Sequence, residues 1–141
     1  MKRAILILVS ALLLAVLCAC GSGKSEPAEL SFKNGLGVAV VGFYCSPEAE
    51  EMWNEPINLA QMASGHSIRF HFYQAGGENA GPGVYDLGAA DENGMNYDAY
   101  GVPLAVGDEI ELSGGAGRAS YTVTHADGSK NSYAAEIYPS E

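Results

Sequence analysis

Hydrophobic residues are distributed in two different ways along this chain of 141 residues. Residues 4–17 form one apolar run directly after Lys2 and Arg3, whereas from Leu30 onward apolar residues alternate with polar ones in short stretches. Strict alternation over four to eight residues is typical of strands with one buried face. The eighteen glycines all follow the apolar run and recur with other turn residues between these stretches. The pattern therefore predicts an all-β domain.

The predicted strands number eight, and together they indicate an antiparallel, Ig-like sandwich of about seven to eight strands. Asn34-Gly35 is the sequence of a tight hairpin turn, and residues 91–94 (Asp-Glu-Asn-Gly) predict a second hairpin. We expect the second strand, apolar on both faces, to be central in its sheet. The strands are predicted at residues 30–33, 36–45, 66–73, 84–91, 95–102, 109–113, 118–124 and 131–138. Residues 74–83, rich in glycine, are predicted to form the longest loop.

One segment departs from the strand pattern. Ser46 is a favourable N-cap, Pro47 suits the first helical position, and three glutamates in the next four residues complement a helix dipole. The sequence predicts one or two helical turns over residues 47–53, which place Met52 and Trp53 as a lid on the edge of the sandwich.

The apolar run at the N-terminus has the length of a secretory signal and is shorter than the roughly 20 residues of a membrane-spanning helix. With the sequence Leu17-Cys18-Ala19-Cys20 that follows, it resembles the signal peptide of bacterial lipoproteins. That family has Leu three positions before the modified Cys and a small residue immediately before it, which selects Cys20. Cys18 at the intervening position departs from the usual pattern.

This resemblance implies a domain organisation and a location. Residues 1–19 would be the cleaved signal peptide, residues 20–29 the lipidated Cys20 with a flexible tether, and residues 30–141 a single β-sandwich domain. The covalent lipid on Cys20, with palmitate among its chains, would hold the protein in the cell membrane on the exported side. That side is the outer leaflet of the plasma membrane, or the outer membrane where the source has one. No other cofactor is expected.

The charge of the chain limits the partners it can bind. Seven basic residues face seventeen acidic ones, and loss of Lys2 and Arg3 with the signal peptide would leave five basic residues and a formal charge of −12. Nucleic-acid binding needs a basic patch, so nucleic acid is not expected as a partner. A protein or glycan partner at the cell surface remains open, although the charge also serves solubility.

Cys45 is the one cysteine left in the predicted domain, so no disulfide is available within it. A nucleophilic or redox role would need an activating group, and no histidine lies near it in sequence. We therefore predict that Cys45 is a small buried residue at the end of a strand.

The histidines give weak support to catalysis. His66 and His71 lie five residues apart on one predicted strand, so their side chains point to opposite faces. His125 lies in a predicted turn, and no nucleophile motif accompanies it. We predict that the protein is not an enzyme, with an envelope hydrolase as a less favoured alternative.

An acidic segment raises a calcium hypothesis. Asp86, Asp91, Asn93 and Asp98 lie within thirteen residues, and Ca²⁺ prefers carboxylate and carbonyl oxygens on flexible turns. The spacing of a calcium-binding loop is incomplete, and acidic hairpins are common without metal. We expect no metal and keep these four residues as candidates for a calcium-binding surface domain.

Aromatic residues suggest a binding surface. Tyrosine near Gly/Asn-rich loops is a common way for sandwiches to present a binding surface, although tyrosine also simply favours strands. The candidate binding residues are Trp53, Tyr73, Tyr97 and Tyr100. The prediction for the whole chain is a membrane-anchored, non-catalytic binding or interaction module at the cell envelope.

Several short motifs over residues 34–112 also occur together in a known family. They are Asn34-Gly35, Ser46-Pro47, Trp53, Gly65 to Ile68, Tyr85 to Leu87, and Asp91 to Tyr97. In this order they resemble a family of small exported bacterial β-sandwich proteins of unknown function. The resemblance implies the fold and export, and no catalytic residue.

Overall fold

A computed structural model of the chain describes residues 29–48, 50, 52–72, 81–115 and 117–141. They form nine strands and contain no helix. The strands are β1 (Leu30–Leu36), β2 (Val40–Pro47), β3 (Ser67–Phe70), β4 (Gly83–Asp91), β5 (Met95–Leu104), β6 (Glu109–Gly115), β7 (Arg118–Thr124), β8 (Lys130–Ala134) and β9 (Glu136–Pro139). The all-β prediction is confirmed. The predicted signal peptide, Cys20 and nearly all of the tether lie outside the described residues.

The strands divide into two sheets. The first sheet has the order β3-β1-β6-β7-β8 and the second has the order β2-β4-β5-β9. Every pairing is antiparallel except that of β1 with β6, which is parallel. The prediction of a wholly antiparallel arrangement is therefore wrong at this pair. The chain leaves β1 for the other sheet and returns to it only later, which allows two strands of the same direction to lie side by side.

One hydrophobic cluster, with residues from both sheets, forms the core. Phe32 of β1 and Phe43 of β2 stack with ring centroids 3.7 Å apart and planes inclined by 3°. The buried hydroxyl of Tyr121 on β7 donates to the carbonyl of Tyr97 on β5 at 2.7 Å. Aromatic packing and a satisfied buried hydroxyl thus connect the two sheets in a sandwich-like arrangement.

The predicted hairpin at Asn34-Gly35 is wrong, because both residues lie inside β1. The buried Asn34 side chain donates from Nδ2 to the carbonyls of Val38 and Met62, each at 2.9 Å, and its Oδ1 accepts from the amide of Leu36 at 3.0 Å. These hydrogen bonds fix the path by which the chain leaves β1 for the other sheet. The Asn34 side chain therefore bonds to backbone groups beyond its own position, as in a turn, but one of its partners is 28 residues away.

The prediction that the second strand is central is also wrong, since β2 is an edge strand. Asn58 meets the open edge: its Oδ1 accepts from the amide of Phe43 at 2.6 Å, and its Nδ2 donates to the carbonyl of Val41 at 3.2 Å. The amide of Ile57 donates to the carbonyl of Phe43 at 2.8 Å. Covering an edge with a side chain and a loop satisfies its backbone groups and blocks further strand pairing.

The predicted helical segment has a different structure in its described residues. Pro47 belongs to β2, and a single turn follows, in which the amide of Glu50 donates to the Pro47 carbonyl at 2.9 Å. Ser46 does not cap a helix: its hydroxyl accepts from the amide of Asn54 at 3.0 Å. Residues 49 and 51 lie outside the described part. The helix-capping preferences of this segment are local, and the pairing of Ser46 and Pro47 within β2 outweighs them.

The remaining predicted strands are confirmed with two adjustments. The strand predicted at residues 66–73 is the shorter β3, and the one predicted at 131–138 divides into β8 and β9, which belong to different sheets. Residues 73–80, most of the predicted long loop, lie outside the described residues. The described residues include no helix with the length and apolarity needed to cross a membrane.

The chain enters the described body at one end of the sheets. The amide of Gly107 donates to the carbonyl of Glu29 at 2.6 Å, and the amide of Phe72 donates to the Glu29 carboxylate at 3.1 Å. Glu29 therefore lies beside the loop between β5 and β6, at the end of the first sheet where β1 begins.

Candidate binding surface

The outer face of the second sheet has a row of paired positions that crosses all four of its strands. Tyr44 of β2 pairs with Gly88 of β4, Gly88 with Asp98 of β5, and Asp98 with Glu136 of β9. The residues beside them in each strand, such as Leu87, point inward to the core. Because side chains alternate along a strand, these four positions share the face directed away from the core.

Trp53 lies over this row, on the face of the sheet instead of on its predicted edge. Its ring centroid is 6.1 Å from that of Tyr44 and 6.4 Å from that of Tyr100. A Cβ at Gly88 would lie only 3.2 Å from two carbon atoms of the indole, so the absence of a side chain there gives the ring its place. Trp53 is 38% exposed and Tyr100 is 54% exposed.

Asp98 holds two tyrosines of this surface in position. Its Oδ2 accepts a hydrogen bond from the hydroxyl of Tyr100 at 3.2 Å and another from the hydroxyl of Tyr138. Asp98 as a whole residue is only 3% exposed. The hydrogen bond to Asp98, with burial and the charge of Asp98 next in order, raises the pKa of Tyr138 well above its usual range. We call the set formed by the half-buried Tyr44 and the exposed Trp53, Tyr100 and Tyr138 the aromatic face.

Two hollows flank the indole ring. The first, of about 470 Å³, lies between Trp53, Tyr44 and Tyr138, with Asn54, Glu55, Pro56, Ala89, Asn96 and Asp98 completing its lining. The second, of about 480 Å³, is lined by Ser46, Glu50, Met52, Trp53, Asp86 and Tyr100. Each hollow combines aromatic walls with two carboxylates, and no described lysine, arginine or histidine lines either of them.

Asn54 has an unusual environment in the first hollow. Its backbone amide is bonded to Ser46, but its side-chain Nδ2 is buried and has no hydrogen-bond partner among the described residues. A buried donor without an acceptor costs about 1 to 3 kcal/mol.

Cys45 lies beneath the aromatic face and is buried, as predicted. Burial, with the charge of Asp86 as a smaller cause, raises the pKa of its thiol to about 12. Thiol chemistry requires the thiolate. Cys45 therefore acts in this structure as an apolar core residue.

The aromatic candidates from the sequence have three different outcomes. Trp53 and Tyr100 lie on the aromatic face, whereas Tyr97 is buried in the core and donates from its hydroxyl to Asp91 at 2.9 Å. Tyr73 lies outside the described residues. Sequence reasoning missed Tyr44 and Tyr138 as binding candidates. Glu136 beside Tyr138 on the same face of its strand was a usable indication for Tyr138, but only the strand pairing shows that Tyr44 and Tyr138 meet.

The four calcium candidates do not converge on one point. Asp91 is buried at the hairpin, where its Oδ1 accepts from the amides of Asn93 and Met95, each at 2.9 Å. Asp86 accepts a hydrogen bond from the amide of Gly101 at 2.9 Å, and Asp98 accepts hydrogen bonds from the hydroxyls of Tyr100 and Tyr138. Among the described residues, no group of three or more His, Cys, Asp or Glu side chains is arranged to hold a metal ion.

The histidines lie away from the aromatic face. His66 and His71 are exposed and flank β3. Nδ1 of His125 is 2.9 Å from the buried carboxylate of Asp108, and Nε2 is 3.0 Å from Nδ2 of Asn131. No serine or cysteine is among the hydrogen-bond partners described for that imidazole. Its contacts join the starts of β6 and β8 to the end of β7.

A further hollow of about 660 Å³ lies near β6 and β7, lined mostly by glycine, alanine and serine with Arg118 and Ile137. The part of the chain that the structure describes contributes no carboxylate and no aromatic ring to it, so it offers fewer groups for recognition than the hollows beside Trp53.

Comparison with known proteins gives no match: no family model, no curated protein and no solved structure is significantly similar to this chain.

Proposed function

We propose that this protein is a lipid-anchored, non-catalytic binding module of the cell envelope, and that the aromatic face is its binding surface. Cys20 holds the covalent lipid, and the folded domain lies on the exported side of the membrane. The partner is a protein or glycan of the envelope. An Ig-like classification of the two sheets is part of the same proposal, supported by their shared core.

The observation that supports the binding role is the position of Trp53. The indole is 38% exposed although it is held between two tyrosine rings and directly above the sheet. A large aromatic group that is ordered by its own protein and still open to solvent loses little entropy on binding. Such residues dominate the binding energy of protein interfaces.

The place of the aromatic face suits an anchored protein. The chain enters the described body at Glu29, beside the loop between β5 and β6. Tyr44, Gly88 and Asp98 lie within the length of β2, β4 and β5 rather than at a strand end. The aromatic face is thus on the flank of the domain and stays accessible when the end near Glu29 is directed to the membrane.

The anchor is tested by cell fractionation of the Cys20→Ala variant. The wild type should partition with membranes and the variant should not, because the lipid is attached only to Cys20. A Cys18→Ala variant, which keeps the modified position, should partition as the wild type does. Equal membrane partitioning of the Cys20→Ala variant and the wild type would refute the anchor.

The binding role is tested by chemical footprinting of the full chain in its native membranes. Trp53 is the one tryptophan in the sequence, so a tryptophan-selective oxidant reports on this surface alone. We expect slower oxidation in native membranes than in purified protein in neutral detergent, and slower nitration of Tyr100. Tyr133, on β8 of the first sheet, is the internal control. Equal Trp53 oxidation rates in the two preparations would contradict a bound partner.

A further inference from the structure

We infer that the partner of the aromatic face is a basic peptide segment, whose lysine or arginine side chains enter the two hollows beside Trp53. This inference rests on the binding role proposed above and specifies the chemistry of its ligand. It follows from the charges in the hollows and the orientation of the rings.

The charges of the hollows are the first step. Asp98 and Glu55 line the first hollow and Asp86 lines the second, and among the described residues no positive side chain belongs to either lining. A neutral ligand that displaced water here would leave these three carboxylates without a counter-charge in a less polar environment. A cationic side chain supplies that counter-charge to each hollow.

The aromatic walls favour the same ligand. The rings of Tyr44 and Trp53 are inclined by 50°, and those of Trp53 and Tyr100 by 33°, so the indole has a neighbouring tyrosine on two sides. The face of an aromatic ring is electron-rich and attracts ammonium and guanidinium groups, most strongly at tryptophan. Carboxylates and ring faces therefore act on a cation in the same direction.

The proposed binding role limits the occupant to a protein or a glycan. Lysine and arginine side chains are the cations that a protein carries, so a positively charged partner of the aromatic face is a basic peptide segment.

The charge of the whole chain assists the encounter. Seventeen acidic residues against seven basic ones give a net charge of −10, which attracts a basic segment from a distance and weakens as salt is added. Binding by this mechanism must therefore fall with ionic strength.

Fluorescence titration of the purified full-length protein in neutral detergent tests the inference. Trp53 is the one tryptophan in the sequence, so tryptophan emission reports on the aromatic face. The probes are tetralysine and tetraarginine, with tetraglutamine and a neutral glucose hexasaccharide as uncharged comparisons. We expect a saturable change with the two basic peptides that weakens with added salt, and no saturable change with the uncharged probes.

Variants that remove one negative charge while keeping the size of the side chain distinguish electrostatic attraction from shape complementarity. Glu55→Gln removes an exposed charge from the first hollow, and Asp98→Asn keeps an acceptor for the tyrosine hydroxyls while removing the charge. Each should weaken tetraarginine binding by roughly 5- to 30-fold, the range for one cation contact. Glu109→Gln, which removes an exposed charge from the first sheet, is the matched control and should leave binding unchanged.

The outcomes distinguish this inference from the proposed function. Saturable binding of the neutral hexasaccharide or of tetraglutamine alone would overturn the basic partner and leave the binding role in place. Equal weakening by Glu109→Gln and Glu55→Gln would also overturn it, since the attraction would then be general. If no probe alters the emission, the basic partner is refuted, and footprinting in native membranes decides the binding role separately.

Discussion

Replacing Gly88 with alanine is expected to lift the indole ring of Trp53 from the second sheet while leaving the fold intact. A Cβ at position 88 would lie 3.2 Å from Cη2 and from Cζ2 of Trp53, and 3.1 Å from Oδ1 of Asp98. Carbon atoms pack best at about 3.5 to 4.0 Å, so the ring must move outward by about 0.3 to 0.8 Å. Because the φ angle of Gly88 lies outside the positive range, the backbone itself accepts alanine.

The stability of the Gly88→Ala variant should change little. Alanine in a strand gains about 0.5 to 1 kcal/mol over glycine through the entropy of the unfolded chain. Overpacking typically costs about 1 to 3 kcal/mol, and the lower end applies because Trp53 is partly exposed and can move. The two contributions nearly cancel, so we expect the free energy of unfolding to change by less than about 1 kcal/mol.

The assay is the emission spectrum of Trp53 together with urea unfolding. We expect a shift of emission to longer wavelength in Gly88→Ala, since the displaced ring contacts more water, and weaker binding of basic peptides. Gly83→Ala, in the same strand, is the matched control, because its Cβ would meet only Tyr85 at an ordinary 3.9 Å. If both variants have the wild-type emission, Trp53 does not rest on Gly88 and the described aromatic face is incorrect.

Three further changes test the core and its ionisable groups. Phe43→Ala removes the ring stacked on Phe32 and should cost about 3 to 5 kcal/mol in urea unfolding, whereas the fully exposed Leu59→Ala should cost less than about 0.5 kcal/mol; equal costs would contradict the core assignment. Cys45, with its thiol pKa raised to about 12 by burial, should resist alkylation at mildly alkaline pH until the protein unfolds, as peptide mapping can show; rapid labelling in the folded state would argue against its burial. Burial, followed by the hydrogen bond to Asp91, raises the pKa of Tyr97 to about 12. The contribution of the protonated Tyr97 hydroxyl to the free energy of unfolding is complete below the usual tyrosine pKa of about 10 and is lost as pH rises through about 12. In Tyr97→Phe the free energy of unfolding should therefore fall less steeply over that pH range; an unchanged alkaline pH profile would contradict this.

Local sequence patterns predicted the structure well where two strands that are consecutive in sequence also pair with each other in a sheet. Residues 91–94 form the expected hairpin between β4 and β5, with Gly94 at a φ angle of 77° and Asp91 bonded to the amides that follow it. The same type of inference failed at Asn34-Gly35, where a turn sequence lies inside β1. A turn preference is local, and there the parallel pairing with β6 and the long-range bonds of Asn34 outweigh it.

The candidate site shows the same division between local and non-local information. Composition and position predicted Trp53 and Tyr100 as binding candidates, and both lie on the aromatic face, whereas the third candidate, Tyr97, is buried. Nothing in the sequence indicated that Tyr44, from the first third of the chain, would lie on one face with Tyr138, near its end. Their meeting depends on the register of four strands, which non-local hydrogen bonds and core packing determine together.

By itself, the sequence determined the all-β class, the acidic character of the chain and the burial of Cys45, because each depends on composition or on the two-residue period of a strand. The N-terminal pattern that predicts a lipid on Cys20 is likewise local, and it stays a prediction. Only the tertiary structure decided which strands share a sheet, that β1 and β6 run parallel, and that Trp53 lies over Gly88 between two acidic hollows. Those features depend on contacts between residues distant in sequence, whose free energies become available only when the two sheets pack together.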